Sequence, residues 1–229
     1  MPLDAQLDAL AQIYHVLSDT LENKALACHR GCSPCCTQNV VMTTLEGYQI
    51  ITHLDQSQKA DLLDRLSALT GAPVRLPEST INELARQSTE NDAVSEKEDP
   101  KGRERCPLLQ GDICTIYVAR PLACRMMVST KDCRMTGFAR MDPFLLSAGN
   151  VFMQFTEHID PNGWTGNLVD VLSYLLNDKN RHAYETGTTN KGSSHMLSNH
   201  PLTVLMVPPE HRRQIAPILQ TLNPAIGDI

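Results

Sequence analysis

A chain of 229 residues that is 41% hydrophobic can bury one domain with a real core, or a domain plus an appendage, and is too apolar to be disordered throughout. A net charge of −6 offers no basic face for phosphate contacts, and 4% aromatic residues are too few for a base-stacking surface, so nucleic acid is excluded as a default partner. No stretch approaches the ~18 consecutive apolar residues of a membrane span, and Met1 to Gln6 carry neither a basic region nor an apolar run, so a cytoplasmic protein with no membrane partner is expected.

Leu7, Leu10, Ile13, Tyr14, Leu17 and Leu21 recur at helical steps, which predicts an amphipathic helix over 3–27. It delivers the chain to Cys28-His29-Arg30-Gly31-Cys32-Ser33-Pro34-Cys35-Cys36. There Gly31 permits a tight bend and Pro34 removes a donor, so a knuckle-like turn is expected, able to aim backbone N–H groups at sulfur. Val40-Val41-Met42 is a short apolar run. Thr43 and Glu46 have capping-box spacing, so a helix starts there with Leu45, Tyr48, Ile51 and Leu54 on its apolar face. A second helix runs from about Gln56 to Leu69 and ends at Gly71 and Pro73. Pro77 to Thr80 open a third, to about residue 90, and the charged stretch 91–105 reads as a solvated loop.

Leu108-Leu109 and Ile113 to Tyr117 flank Gly111-Asp112 as a short hairpin. Arg120-Pro121 begins a short helical turn with Pro121 at its first position. Apolar stripes predict helices over 143–159 and 165–184. Residues 186–199 are rich in Gly, Ser, Thr and Asn and read as a linker. Beyond it, Leu202 to Val207 have the composition of a strand, and Pro208-Pro209-Glu210 open a last helix to about Leu222. The expected fold is mainly α, with helices around an irregular cysteine-rich metal-binding core and a short β-hairpin. The expected organisation is a cysteine-cluster domain with flanking helices over 1–185, a linker over 186–200 and a strand-and-helix extension over 201–229.

All eight cysteines fall in two groups: Cys28, Cys32, Cys35 and Cys36, then Cys106, Cys114, Cys124 and Cys133. In a reducing compartment such clusters read as metal ligands more readily than as disulfides. Thiolates take zinc and iron–sulfur clusters. A structural zinc site needs four ligands, so eight sulfurs fill two sites, or one with four left over. Neighbouring side chains point different ways, so Cys35 and Cys36 either serve two sites or one of them packs as a small apolar residue. Arg120 and Arg125 flank Cys124 and are candidates to offset thiolate charge and hydrogen-bond the cofactor. Ile116 and Tyr117 are expected to pack against the site.

Other motif readings fit less well. Cys32-Ser33-Pro34-Cys35 has the spacing of redox enzymes, yet a helix precedes it and two more cysteines crowd it. Cys28-x3-Cys32-x2-Cys35 has the spacing of radical S-adenosylmethionine clusters, but no alternation of strands and helices supplies their barrel. The eight histidines form no pattern with a cysteine that would make a nucleophile and base, and His29 reads as a solvated neighbour of Cys28. No catalytic residue is assigned.

Cys28-x3-Cys32-x2-Cys35-Cys36, with Cys106-Pro107-x-Leu109, Cys114-x-Ile116-Tyr117 and Arg120-Pro121-x-x-Cys124-Arg125, resembles the YkgJ-type cysteine-cluster (CxxCxxCC) family over about 28–133. The resemblance implies a zinc- or iron-chelating domain. A more distant similarity, to the flagellin lysine methylase family, implies a rival function: an iron–sulfur-dependent S-adenosylmethionine methyltransferase acting on a protein or peptide. The leading expectation is a metal-binding protein whose zinc or iron–sulfur cluster, a 4Fe-4S cluster if iron, is structural or serves electron transfer or sensing. Its ligands would be drawn from the eight cysteines, and no protein partner is assigned.

Overall fold

A computed structural model of the chain describes residues 1–69, 76–90, 104–188 and 195–226. Most of the charged 91–105 stretch, the stop at Gly71 and Pro73, and the middle of the 186–199 segment lie outside these residues. The N-terminal pattern folds as α1 (Leu3–Glu22), burying Leu10, Ile13, Tyr14 and Leu17, and it stops at Glu22 rather than running to 27. An irregular segment carries the first four cysteines to β1 (Val41–Thr43), formed by the apolar run. The capping box at Thr43 is present and starts α2 (Thr44–His53), and a second box at Asp55 starts α3 (Gln56–Ala68). Next comes α4 (Ile81–Glu90). The expected hairpin is β2 (Leu109–Gln110) with β3 (Ile113–Cys114), and Leu109 faces Cys114. At its tip Gly111 has φ +57°, the positive φ a tight hairpin turn needs at its first position. Pro121 sits one residue earlier than expected, as the cap of α5 (Leu122–Met126). Two more helices follow, α6 (Cys133–Thr136) and α7 (Pro143–His158).

The single helix expected over 165–184 is instead three elements: β4 (Trp164–Asn167), α8 (Leu168–Leu176) and α9 (Asp178–Glu185). Two asparagines make the breaks. The Asn167 side chain accepts from the N–H of Val169, and the Asn177 side chain accepts from those of Lys179 and Asn180, so each caps the helix behind it. Residues 164–167 pair with β1, Val41 opposite Asn167, and then with β5 (Leu197–Ser198), giving the order β1-β4-β5. Part of the expected linker is therefore the edge strand of this sheet. The strand expected over 202–207 does not form, because side chains of α7 take its backbone donors. Leu202 N–H donates to His158 Nδ1 at 3.1 Å, and Met206 N–H donates to Gln154 Oε1 at 2.9 Å. The chain ends in α10 (Arg212–Ile226).

The class is mainly α with short β elements, as expected. Two apolar cores lie side by side. One joins α1, α5, α7 and α10 through Leu10, Ile13, Leu17, Phe152, Phe155 and Leu222. The other joins α2, α3, α8 and the sheet through Ile50, Ile51, Leu62, Leu66 and Leu172. The segments bearing the later cysteines root in both: Leu122 and Met126 belong to the first, and Leu108, Ile116 and Ala119 to the second. Polar groups at the end of α7 pin the neighbours down. Buried Glu157 accepts from the N–H groups of Asn82 and His200, and buried Asp160 accepts from Thr44 Oγ1, Leu45 N–H and Tyr184 Oη. Among the described residues no helix is long and apolar enough to cross a membrane.

Candidate metal centre

The nine-residue cysteine segment is a pair of consecutive turns. Cys32 N–H donates to the His29 carbonyl and Cys36 N–H to that of Ser33, both at 3.0 Å. Gly31 allows the first with φ +90°, where a side chain would be strained and would meet Ile113. Several contacts bring the distant clusters together. Cys106 N–H donates to the Cys36 carbonyl at 3.1 Å, Gln38 N–H donates to that of Glu104, and Thr37 bridges Arg105. Ser33 Oγ donates to Asp112 at the hairpin tip, and Arg105 donates to the same carboxylate. Two guanidiniums lie over the Tyr117 ring, that of Arg30 at 5.8 Å and that of Arg120 at 3.9 Å from its centre.

The result is a cavity of about 190 Å³ whose wall includes Cys28, Cys32, Cys35, Cys36, Cys106, Cys114 and Cys124. Arg120, Arg125, Ile116 and Tyr117 line it too. Cys133 is outside the lining and buried, near enough for its charge to act on Cys28 and Cys32. All eight thiols are free. Among the described residues, no three His, Cys, Asp or Glu side chains converge on one point tightly enough to enclose an ion as placed. What the fold supplies is a cavity wall carrying seven of the eight sulfurs.

The donor chemistry of this wall fits a thiophilic metal. Backbone N–H groups point at sulfur: Ser129 N–H lies 3.2 Å from Cys28 Sγ, the N–H of Leu108 serves Cys106 and that of Ile116 serves Cys114. Such bonds favour thiolate, as ligation requires. Burial acts the other way. It pushes the Cys106 thiol up to about 11 and raises Cys28, Cys114 and Cys124 as well, so these groups need a cation to ionise fully. Cys35 donates to Cys36, which lifts Cys35 and lowers Cys36.

Arg120 and Arg125 divide their labour. Arg125 donates to the carbonyls of Arg120 and Val118 and lies 4.1 Å over the Tyr14 ring, so it locks α5 to α1. Arg120 has a buried Nε with no hydrogen-bond partner, and its charge favours the thiolates of Cys28, Cys114 and Cys124. Its guanidinium stacks on Tyr117 in the same cavity wall. Gly31 is the one glycine among the described residues that line the cavity.

Two residues that position the site were not singled out for it from sequence. Glu46, read only as a capping residue, is buried and accepts from Leu122 N–H at 2.6 Å, from Thr43 N–H at 2.9 Å and from Tyr14 Oη at 3.1 Å. It thereby fixes the start of α5, two residues before Cys124. Its capping-box spacing was the available signal. Ser129 carried none, because its N–H meets Cys28 only through the tertiary fold. A family model, CxxCxxCC, described as a putative zinc- or iron-chelating domain, matches residues 27–143. No curated protein and no solved structure matches the chain.

Proposed function

Because the chain belongs to the CxxCxxCC family of zinc- or iron-chelating domains, we propose that its cysteines hold zinc or an iron–sulfur cluster, four-iron if the metal is iron. The ligands are drawn from Cys28, Cys32, Cys35, Cys36, Cys106, Cys114, Cys124 and Cys133. The observation that carries this reading is that three separate stretches of chain deliver seven thiols to one cavity. Bound zinc would supply four strong bonds that hold these stretches together, and a cluster would add one-electron transfer. The protein's own residues supply the rest. The N–H groups of Ser129, Leu108 and Ile116 orient sulfur, and Arg120 offsets negative charge. The stretches around the sulfurs are irregular and short of large apolar side chains, so metal bonds worth on the order of 10 kcal/mol decide their order. The centre is a staple, and its open cavity puts it within reach of electron transfer or sensing. Eight free thiols suit a reducing compartment such as the cytoplasm.

Anaerobic purification followed by metal and acid-labile sulfide analysis tests this. Iron with sulfide and broad visible absorption identifies a cluster, and colourless protein with zinc identifies a structural site. Cys32→Ser and Cys124→Ser each lower metal content. Full metal content and wild-type stability in both variants would overturn the ligand assignment.

A further inference from the structure

Cys35 and Cys36 are adjacent, yet the backbone on either side of them is tied to different parts of the molecule. Upstream, Ala27 N–H donates to the Ser129 carbonyl at 2.8 Å and Ser129 N–H donates to Cys28 Sγ at 3.2 Å. These bonds hold the beginning of the cysteine segment against the 129–133 loop, where Cys133 opens α6. Downstream, Cys106 N–H donates to the Cys36 carbonyl and Gln38 N–H to that of Glu104, at 3.1 and 3.0 Å. These hold the end of the segment against the hairpin. There Leu109 N–H bonds the Cys106 carbonyl, and Leu109 pairs with Cys114. The Glu46 carboxylate fixes the start of α5 and so brings Cys124 to this second group.

We infer that the chain holds two metal centres, one on Cys28, Cys32, Cys35 and Cys133 and the other on Cys36, Cys106, Cys114 and Cys124. This deepens the metal-binding reading above and rests on it. The neighbourhoods of the sulfurs divide the same way. Cys32 lies within electrostatic reach of Cys28, Cys35 and Cys133, and Cys28 of Cys35 and Cys133. Cys36 lies within reach of Cys124, Cys106 and Cys114, and Cys124 of Cys106 and Cys114. The sets meet where Cys35 donates to Cys36. Each set has four sulfurs, the number a tetrahedral thiolate site requires. Arg120 lines the same cavity, and its charge acts on Cys28 in one set and on Cys114 and Cys124 in the other.

The partition explains two features that a single site leaves idle. Cys133 is buried outside the cavity lining yet beside Cys28 and Cys32, where a fourth ligand for that set is needed. The consecutive cysteines let one chain segment feed two centres, because the backbone before them is tied to the 129–133 loop and the backbone after them to the hairpin.

Single and double serine variants of the full chain, purified anaerobically and assayed for metal and sulfide, test the partition. Cys133→Ser or Cys114→Ser alone removes about half the bound metal, one of two four-ligand centres. The double variant within a set, Cys28→Ser with Cys133→Ser, loses no more than either single change, whereas Cys133→Ser with Cys114→Ser loses all of it. Equal losses in both double variants, or full metal content in Cys133→Ser, would overturn the partition. Titration of the metal-free wild-type chain with cobalt(II) needs no variant to fold. Tetrathiolate absorption should rise until about two equivalents are bound. Saturation at one equivalent keeps the metal-binding reading and sinks the partition, and no uptake in either experiment sinks both.

Discussion

At the scale of single residues, two polar side chains do different work. Arg120 lies in the cavity wall, stacked on Tyr117, with its Nε buried and unpartnered. Asp160 has no sulfur near it and serves the fold. Its carboxylate accepts from Thr44 Oγ1 at 2.7 Å, Tyr184 Oη at 2.9 Å and Leu45 N–H at 3.0 Å, joining the end of α7 to α2 and α9. These bonds favour the ionised form, but burial outweighs them and pushes the carboxyl up to about 6. The folded value then exceeds the unfolded one, near 3.9. The folded chain therefore binds the extra proton between about pH 4 and 6. The stabilisation is fully present below that window and is lost as pH rises through about 6. Two units correspond to roughly 3 kcal/mol. Asp160→Asn, which keeps an acceptor and cannot ionise, flattens this part of the stability–pH profile. Denaturant midpoints of both proteins at several pH values, taken as a difference, check it. A wild-type slope surviving in the variant would assign the effect elsewhere.

At the scale of elements, the capping box of α2 does more than start a helix. Glu46 completes the box with Thr43 and also receives the first N–H of α5 and the hydroxyl of Tyr14 on α1. One side chain thus sets the relative placement of three helices. Glu46→Ala strands the N–H groups of Thr43 and Leu122, at about 1–3 kcal/mol for each buried donor left without a partner. The expected outcome is a loss of several kcal/mol in equilibrium unfolding, together with weakened metal retention at Cys124. An unfolding midpoint within error of wild type would show that water or a neighbour replaces the carboxylate. The same logic explains the break between α8 and α9. Apolar residues continue at helical spacing through Leu176, but the Asn177 side chain takes the N–H groups of Lys179 and Asn180 and restarts the helix.

At the scale of the whole molecule, the sulfur-bearing face bridges two apolar cores built mainly from aliphatic and aromatic side chains. Phe152, Phe155 and Leu10 are buried in one, and Ile50, Ile51 and Leu172 in the other, with Cys106 and Cys114 packed against the second from its edge. Removing metal with a strong chelator should lower the thermal midpoint by roughly 20 °C or more, since each of the ~10 kcal/mol lost moves a domain of this size by about 2–4 °C. Helical circular dichroism well below the transition should stay near native. Collapse of the helical signal on chelation would mean that the cores form only when the metal does. Legibility in the sequence followed the range of the cause. The capping box at Thr43, the hairpin turn at Gly111 and the apolar face of α1 are set within a few residues, and all were readable. So was the gathering of sulfurs, because nothing else accounts for eight cysteines in two tight groups. The strand at 164–167 was not readable, since its pairing partner Val41–Thr43 lies far away in the chain, nor was the loss of a strand at 202–207 to the side chains of His158 and Gln154. The sequence alone determined that this protein is helical and rich in clustered cysteines, through local periodicity and residue chemistry. Which sulfurs share a neighbourhood, and which arginine acts on them, was decided only by tertiary structure, because both depend on backbone hydrogen bonds between segments about seventy to a hundred residues apart.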